Sequence, residues 1–165
     1  MKLRDVVVVG AAETTDLGRI DDMSQLQLHA DAALNTLADA SLTASDIDGV
    51  ATAGESPTTL AHYLGITPTW VDGTSVGGCS FMLHVRHAIA ALQTGQCKTV
   101  LITHGESGRS GIGRGGRSMS SASLQGQFEM PFGPMGPPTM FTLPVLRFMK
   151  DYGMSHEQLA TVAVV

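Results

Sequence analysis

The apolar residues of the first hundred positions form short continuous runs, and these alternate with segments of helical periodicity. Residues 6–10 are four valines closed by glycine, which predicts a strand buried on both faces. Three later strands are predicted at residues 49–53, 69–71 and 99–104. Helices are predicted between the strands, from cap residues 21–24 to about Ala40, over residues 58–64, and from Cys79 to Gly95. This βαβαβαβ order predicts an α/β fold with a mainly parallel sheet, right-handed crossovers and helices on both faces.

The composition changes at Gly105. Residues 105–138 are rich in Gly, Ser, Met and Pro, which predicts a long irregular segment, and segments of this length are usually either functional or disordered. Helical periodicity returns over residues 142–152, and the capping-box spacing of Ser155 and Gln158 predicts a last helix. We therefore expect an α/β domain over residues 1–105 and a loop domain over residues 106–165 that is incomplete at its C-terminus.

The helix that follows Cys79 is apolar around most of its circumference. Its apolar residues are Phe81, Met82, Leu83, Val85, Ala88, Ile89, Ala90, Ala91 and Leu92. A helix of this kind is covered on several sides, whereas one four-stranded sheet covers only one side. The pattern therefore predicts that something further packs on this helix.

Composition and charge indicate a globular protein and argue against some classes of partner and setting. The chain of 165 residues is 43% hydrophobic and 15% charged, which is typical of a globular core rather than of a disordered chain. Its net charge of −5 argues against a nucleic-acid partner. The two cysteines have neither zinc-ligand nor disulfide-framework spacing, so we expect a reduced, cytoplasmic setting. No apolar run reaches transmembrane length, so no membrane insertion is expected.

Cys79 is the candidate nucleophile. A thiol on the first turn of a helix lies beside free backbone N–H groups and the positive end of the helix dipole, which favour the nucleophilic thiolate. The alternative is that Cys79 is a small buried apolar residue, a common role for free cysteine.

Two further patterns carry less weight. Residues 111–116 fit G-x-G-x-x-G, yet they follow no strand directly and open no convincing helix, so a dinucleotide site is disfavoured. His84 and His87 share a helix face, but no third ligand with suitable spacing is evident, so packing is favoured and no metal is expected.

Five residues are candidates for substrate binding. His104 ends the fourth predicted strand, where ligand sites of parallel sheets lie, although an ordinary strand-end histidine is the favoured alternative. The arginines of the irregular segment would suit a phosphate-bearing ligand or a solvated loop; they are Arg109, Arg114 and Arg117. Met140 is one of several methionines that suit an adaptable apolar surface.

The chain from Val6 to Val165 resembles the thiolase superfamily. Residues 73–88, from Gly73-Thr74-Ser75 through Cys79 to Ala88, resemble the nucleophile segment of sterol carrier protein-type and acetyl-CoA acetyltransferase-like thiolases. Residues 41–50 resemble the link from first helix to second strand, and residues 131–134 and 152–160 resemble the loop domain.

The resemblance implies that Cys79 accepts an acyl group and that the loop domain carries the coenzyme A site. The implied reaction is thiolysis of a 3-ketoacyl-CoA, or the reverse Claisen condensation, with coenzyme A as substrate rather than as a permanently bound cofactor. It also implies a homodimer or higher oligomer, with a separate partner subunit as a further option.

The sequence departs from the family pattern in two respects. Ser80 is followed by Phe81 and Met82, where many thiolases have small residues and glycine. The histidines and second cysteine that activate the family's nucleophile belong to a C-terminal half that this sequence does not contain. We therefore expect this chain alone to be inactive or weakly active, and the alternative is a noncatalytic assembly module that needs a partner chain.

Overall fold

The computed structural model describes residues 6–113, 121–133 and 137–164. The chain divides into two compact units between Gly115 and Gly116. The first unit contains helices α1 (Gln25–Asp39), α2 (Pro57–Leu64) and α3 (Ser80–Thr94), strands β1 (Gly49–Thr52), β2 (Trp70–Asp72) and β3 (Val100–Thr103), and a 3₁₀ turn (Ala44–Asp46). The second contains α4 (Leu124–Phe128), α5 (Pro137–Met140), α6 (Thr142–Tyr152) and α7 (His156–Val164), with a 3₁₀ turn (Met130–Phe132).

The sheet is parallel and has the strand order β2-β1-β3. Val50 of the central strand lies opposite Val71 of β2 and Leu101 of β3. All four residues of β1 are buried, as expected for a strand with a neighbour on each side and helices on each face. The predicted α/β class is confirmed.

The predicted first strand is wrong. Residues 6–10 lie outside the sheet, and Val7 and Val8 are 73% and 84% exposed. A strand needs a neighbour with free backbone groups, and β-branched composition alone does not supply one. The end of this segment is fixed against α1 instead: a Cβ at Gly10 would lie 2.8 Å from the Ala40 Cβ, and the Ala11 N–H donates to the Asp39 carboxylate at 3.0 Å.

Helices α1 and α2 pack on one face of the sheet. The buried cluster there consists of Ala30, Ala33, Leu37, Ile47, Val50, Leu60, Ala61, Ile66 and Leu101. Helix α3 contacts all three strands but contributes no residue to this cluster. Since alternate strand residues point to opposite faces, α3 lies on the other face of the sheet.

The helix ends agree closely with the cap residues of the sequence. Ser24 and Gln27 form a reciprocal capping box at the start of α1. Before α7, the Ser155 N–H donates to the Gln158 side chain and the Gln158 N–H donates to the Ser155 hydroxyl, which is the same reciprocal arrangement. The segment expected to be irregular is only partly so, because α4 and the second 3₁₀ turn lie within it and α5 begins at its end.

Helix α3 is covered on one side only in the described part of the chain. Its buried residues form a single stripe of Ser80, His84, Ala88 and Ala91. The large apolar side chains Met82, Val85 and Ile89 are exposed, Met82 by 73%. The sheet leaves this helix partly uncovered, and the packing of something further on it stays a prediction.

Across the described residues, none of the helices combines the length and the apolar character needed to cross a membrane.

Candidate active site around Cys79

Cys79 is presented by a tight turn between β2 and α3. It is the N-cap residue of α3, it is exposed, and its Sγ lies 3.8 Å from the carbonyl oxygen of Val76. Buried Ser80 fixes the turn, since its Oγ accepts from the Val76 N–H at 3.0 Å and donates to the Gly77 carbonyl at 2.6 Å. Gly77 has φ +91°, a conformation that other residues adopt only with strain. The thiol is therefore accessible at a well-defined helix N-terminus.

Asp72, at the end of β2, organises the start of this loop. One carboxylate oxygen accepts from the backbone N–H and the hydroxyl of Thr74, at 2.9 and 2.7 Å. The other lies 2.7 Å from His87 Nδ1. Burial pushes the pKa of Asp72 upward, but the hydrogen bonds from Thr74 and His87 outweigh it and leave the pKa below its usual value. Asp72 therefore stays ionised and ties the loop to α3.

His84 makes a second contact from α3 to the same loop. Its Nε2 lies 2.8 Å from the carbonyl oxygen of Thr74, and the side chain is fully buried. In the described residues, no three His, Cys, Asp or Glu side chains are grouped suitably for a metal ion, those near His84 and His87 included. Both histidines instead contact the loop that leads to Cys79.

An aromatic cluster lies beside the first turn of α3. The Phe81 ring packs against His104 at 4.5 Å and against His84 at 5.9 Å between centroids. The His104 ring also meets His29 of α1 edge-on at 6.1 Å. Phe81 thus brings His104, which directly follows β3, to the helix turn that carries Cys79. The role of His104 in substrate binding stays a prediction.

The pKa of His29 in this cluster is strongly lowered. It is fully buried, and its Nδ1 shares a hydrogen bond of 2.8 Å with the Thr103 hydroxyl. Burial, followed by the nearby His104, lowers the pKa of His29 from 6.5 to about 4, against a smaller opposite effect of Glu55. Buried His29 Nε2 and His84 Nδ1 have no hydrogen-bond partner among the described residues. For His29, this burial disfavours a positive charge on the ring.

The loop after His104 is fixed to the segment before α1. Ser107 is buried, and its hydroxyl donates to the Gly18 carbonyl at 2.9 Å. The Ile20 N–H donates to the Ser110 hydroxyl at 2.7 Å. The turn between these serines leaves Arg109 exposed.

The remaining candidates lie elsewhere. Arg114 and Arg117 fall outside the described residues. Met140 ends α5 in the second unit and is half-buried. In that unit, α6 and α7 border an apolar groove of about 250 Å³ lined by residues such as Val145, Met149 and Leu159.

The sequence did not reveal the parts played by Asp72, Thr74 and His29. For Asp72 and Thr74 a signal was present, since an aspartate two residues before a threonine at a strand end is typical of a side-chain-stabilised turn. His29 lies within an amphipathic helix, where nothing in the local pattern distinguishes it from a packing residue.

Comparison with known proteins shows which enzymes this chain resembles. No family model matches the chain. It is 27% identical to the "Steroid side-chain-cleaving aldolase" of Thermomonospora curvata, over 99% of this chain and 44% of that protein. It is 28% identical to the "17-hydroxy-3-oxo-4-pregnene-20-carboxyl-CoA lyase" of Mycobacterium tuberculosis, over 96% and 43%. It is 25% identical to the "Acetyl-CoA acetyltransferase" of Methanothermobacter thermautotrophicus, over 99% and 44%.

A comparison of folds gives a similar relative. The solved "Ltp2-ChsH2(DUF35) aldolase" matches 87% of this chain and 37% of its own, with a TM-score of 0.64 and 31% identity. The resemblance to the thiolase superfamily is thereby confirmed. The three curated relatives are named as an aldolase, a lyase and an acetyltransferase, and two of these names specify CoA compounds. The chain spans less than half the length of the curated relatives it matches.

Proposed function

We propose that this chain is part of a thiolase-fold enzyme that breaks or forms a carbon–carbon bond next to a CoA thioester. The observation that carries the proposal is the exposed Cys79 thiol at the N-terminus of α3, on the loop that follows the carboxyl end of β2. The names of the relatives support the substrate class, since they specify acetyl-CoA and a steroid carboxyl-CoA.

The proposed step at Cys79 is acyl transfer. The thiolate attacks the C3 carbonyl of a 3-ketoacyl-CoA, and the bond between C2 and C3 breaks. The acyl group from C3 onward stays on Sγ as a thioester, while the electron pair moves to C2, which takes up a proton, so that the C1–C2 fragment leaves still attached to its own CoA. Coenzyme A then loses its thiol proton and attacks the thioester through its sulfur, which gives the shortened acyl-CoA and releases the Cys79 thiolate. Coenzyme A is a substrate throughout, and no permanently bound cofactor is required.

The names of two relatives and of the solved structure favour a second candidate, a retro-aldol cleavage. A base removes the proton of a C3 hydroxyl, the bond between C2 and C3 breaks, and C3 becomes a carbonyl. The electron pair reaches C2 as a thioester enolate, which is protonated to the acyl-CoA. No acyl group is attached to Cys79 in this reaction. The hydrogen bond that the structure gives the thiol, to the Val76 carbonyl, does not itself supply a base for acyl transfer.

Substrate and partner contacts are part of the same proposal. His104, Arg109, Arg114, Arg117 and Met140 are proposed to contact the acyl-CoA. The outward face of α3 is exposed and apolar, which supports assembly of a homo-oligomer. The two names in "Ltp2-ChsH2(DUF35) aldolase" support a separate partner subunit as well. Two free cysteines fit a reduced, cytoplasmic setting.

Product analysis tests the proposal. The purified chain, in excess over substrate, is mixed in one series with a 3-ketoacyl-CoA and coenzyme A and in another with a 3-hydroxyacyl-CoA. Acyl transfer predicts a shortened acyl-CoA from the first substrate that is lost in Cys79→Ala and kept in Cys97→Ala. Retro-aldol cleavage predicts the shortened acyl-CoA from the second substrate in both variants. Failure to cleave either substrate, combined with no binding of either in equilibrium dialysis, would refute the proposed function.

A further inference from the structure

The loop from Asp72 to Cys79 is held from α3 by two histidines that lie one helical turn apart. His84 contacts the Thr74 carbonyl at 2.8 Å, and His87 contacts the Asp72 carboxylate at 2.7 Å. Residues three positions apart lie on the same side of a helix, so both rings reach the same loop. We propose that His84 and His87 are positioning residues for Cys79, acting through this loop; the inference rests on the proposed function in taking Cys79 as the reacting thiol.

The partner atoms define which nitrogen of each ring carries the proton. A carbonyl oxygen only accepts hydrogen bonds, so His84 Nε2 is the protonated nitrogen and donates to Thr74. A carboxylate also only accepts, so His87 donates to Asp72 through Nδ1. The two histidines therefore use opposite ring nitrogens to hold the same loop.

The two contacts act on the backbone that places the thiol. The Thr74 N–H and hydroxyl also donate to Asp72, so the two histidines hold a hydrogen-bonded Asp72–Thr74 pair at the start of the loop. The turn closed by Ser80 joins this pair to Cys79. The influence of a helix N-terminus on a charged sulfur falls off within the first turn. Release of the loop therefore changes the position of the Cys79 sulfur relative to the N-terminus of α3 even though neither histidine touches the sulfur.

The opposite use of ring nitrogens permits a crossed substitution test. The amide nitrogen of Asn lies near the Nδ1 position of His, and that of Gln lies near the Nε2 position. His84→Gln and His87→Asn therefore keep the donor, whereas His84→Asn and His87→Gln remove it. The same two substitutions have opposite expected effects at the two positions, a pattern that helix propensity or a change of polarity does not produce.

The measured quantity is the rate at which iodoacetamide labels Cys79 at neutral pH, followed by peptide mapping. We expect the donor-removing variants to react about fivefold more slowly than the wild type, a factor in the range of helix-terminus effects on a charge. The donor-keeping variants should react within about twofold of the wild type. Equal rates in all four variants, faster labelling in the donor-removing variants, or the same ranking of Asn and Gln at both positions would overturn the inference.

Cys97 serves as an internal control for unfolding. It is buried in the native fold, so it is labelled only when the unit opens. If His84→Asn exposes Cys97, the comparison of His87→Asn with His87→Gln tests the inference instead, because the His87 side chain is partly exposed and either amide fits there.

A parallel acylation experiment separates this inference from the proposed function. A crossed pattern of labelling without any acyl-Cys79 would support the positioning role and count against acyl transfer. Formation of acyl-Cys79 without a crossed pattern of labelling would support acyl transfer and count against the positioning role of the two histidines.

Discussion

Buried His29 predicts a loss of stability at mildly acidic pH. Its ring is fully buried between α1 and β3, hydrogen-bonded to Thr103, with a pKa lowered from 6.5 to about 4. Above about pH 6.5 the ring is neutral in both the folded and the unfolded chain, so the stability is complete. As the pH falls from 6.5 toward 4, the unfolded chain takes up a proton at His29 that the folded chain refuses. The free energy of unfolding therefore decreases across this window.

The magnitude follows from the difference in pKa. One pKa unit corresponds to about 1.4 kcal/mol. The difference between 6.5 and about 4 therefore corresponds to about 3 kcal/mol, lost progressively across the window. This is a large part of the stability of a small domain, which is about 5–15 kcal/mol.

The assay compares the wild type with His29→Asn in urea unfolding at steps from about pH 7 to about pH 4. Asn keeps a polar atom near Thr103 but does not titrate, so its variant should lack this part of the pH dependence. Carboxylates that do not act on His29 affect both proteins alike and cancel in the difference, whereas the effect of Glu55 on His29 is part of that difference. Exposed His62 provides the matched control, because His62→Asn should follow the wild type. If the stability difference between the wild type and His29→Asn were the same at both ends of the range, the account of His29 would be refuted.

Three further predictions concern the thiols, the catalysis and the assembly. Iodoacetamide at neutral pH should label exposed Cys79 ahead of Cys97, because Cys97 is buried and both burial and Asp48 raise the pKa of its thiol; preferential labelling of Cys97 would contradict this. The chain alone should cleave acetoacetyl-CoA far more slowly than about 10 per second, because the resemblance places the groups that activate the nucleophile in the family's C-terminal half, and loss of even one oxyanion donor costs about 10²–10³ in rate. Turnover near about 10 per second would show that this half is not needed. Light scattering after size exclusion should detect an oligomer, because Met82, Val85 and Ile89 expose an apolar face of α3; a stable monomer that binds no hydrophobic dye would contradict this.

The sequence predicted those parts of the fold that depend on local signals. The start of α1 follows from the cap residue Ser24, and the ends of α2 and α3 follow from Gly65 and Gly95, which adopt left-handed conformations. The parallel sheet follows from the alternation of strands and helices. The valine run of residues 6–10 was misjudged, because pairing requires a neighbouring edge that propensity does not report.

The candidate site was predicted only in part. Cys79 could be found because a glycine pair and a helix start are local features. The contacts of His84 and His87 could not, because each joins α3 to a loop residue ten or more positions earlier in the chain. Helical spacing placed the two rings on one face, but only the folded backbone shows that Thr74 and Asp72 lie within reach.

Acylation of Cys79 tests the central claim most directly. The purified chain is incubated with a 3-ketoacyl-CoA, quenched in acid and mapped by peptide mass spectrometry, with Cys79→Ala and Cys97→Ala analysed in parallel. The account predicts one acyl group on the Cys79 peptide of the wild type and of Cys97→Ala, and none on Cys79→Ala. An unmodified Cys79, or an acyl group that persists in Cys79→Ala, would contradict it.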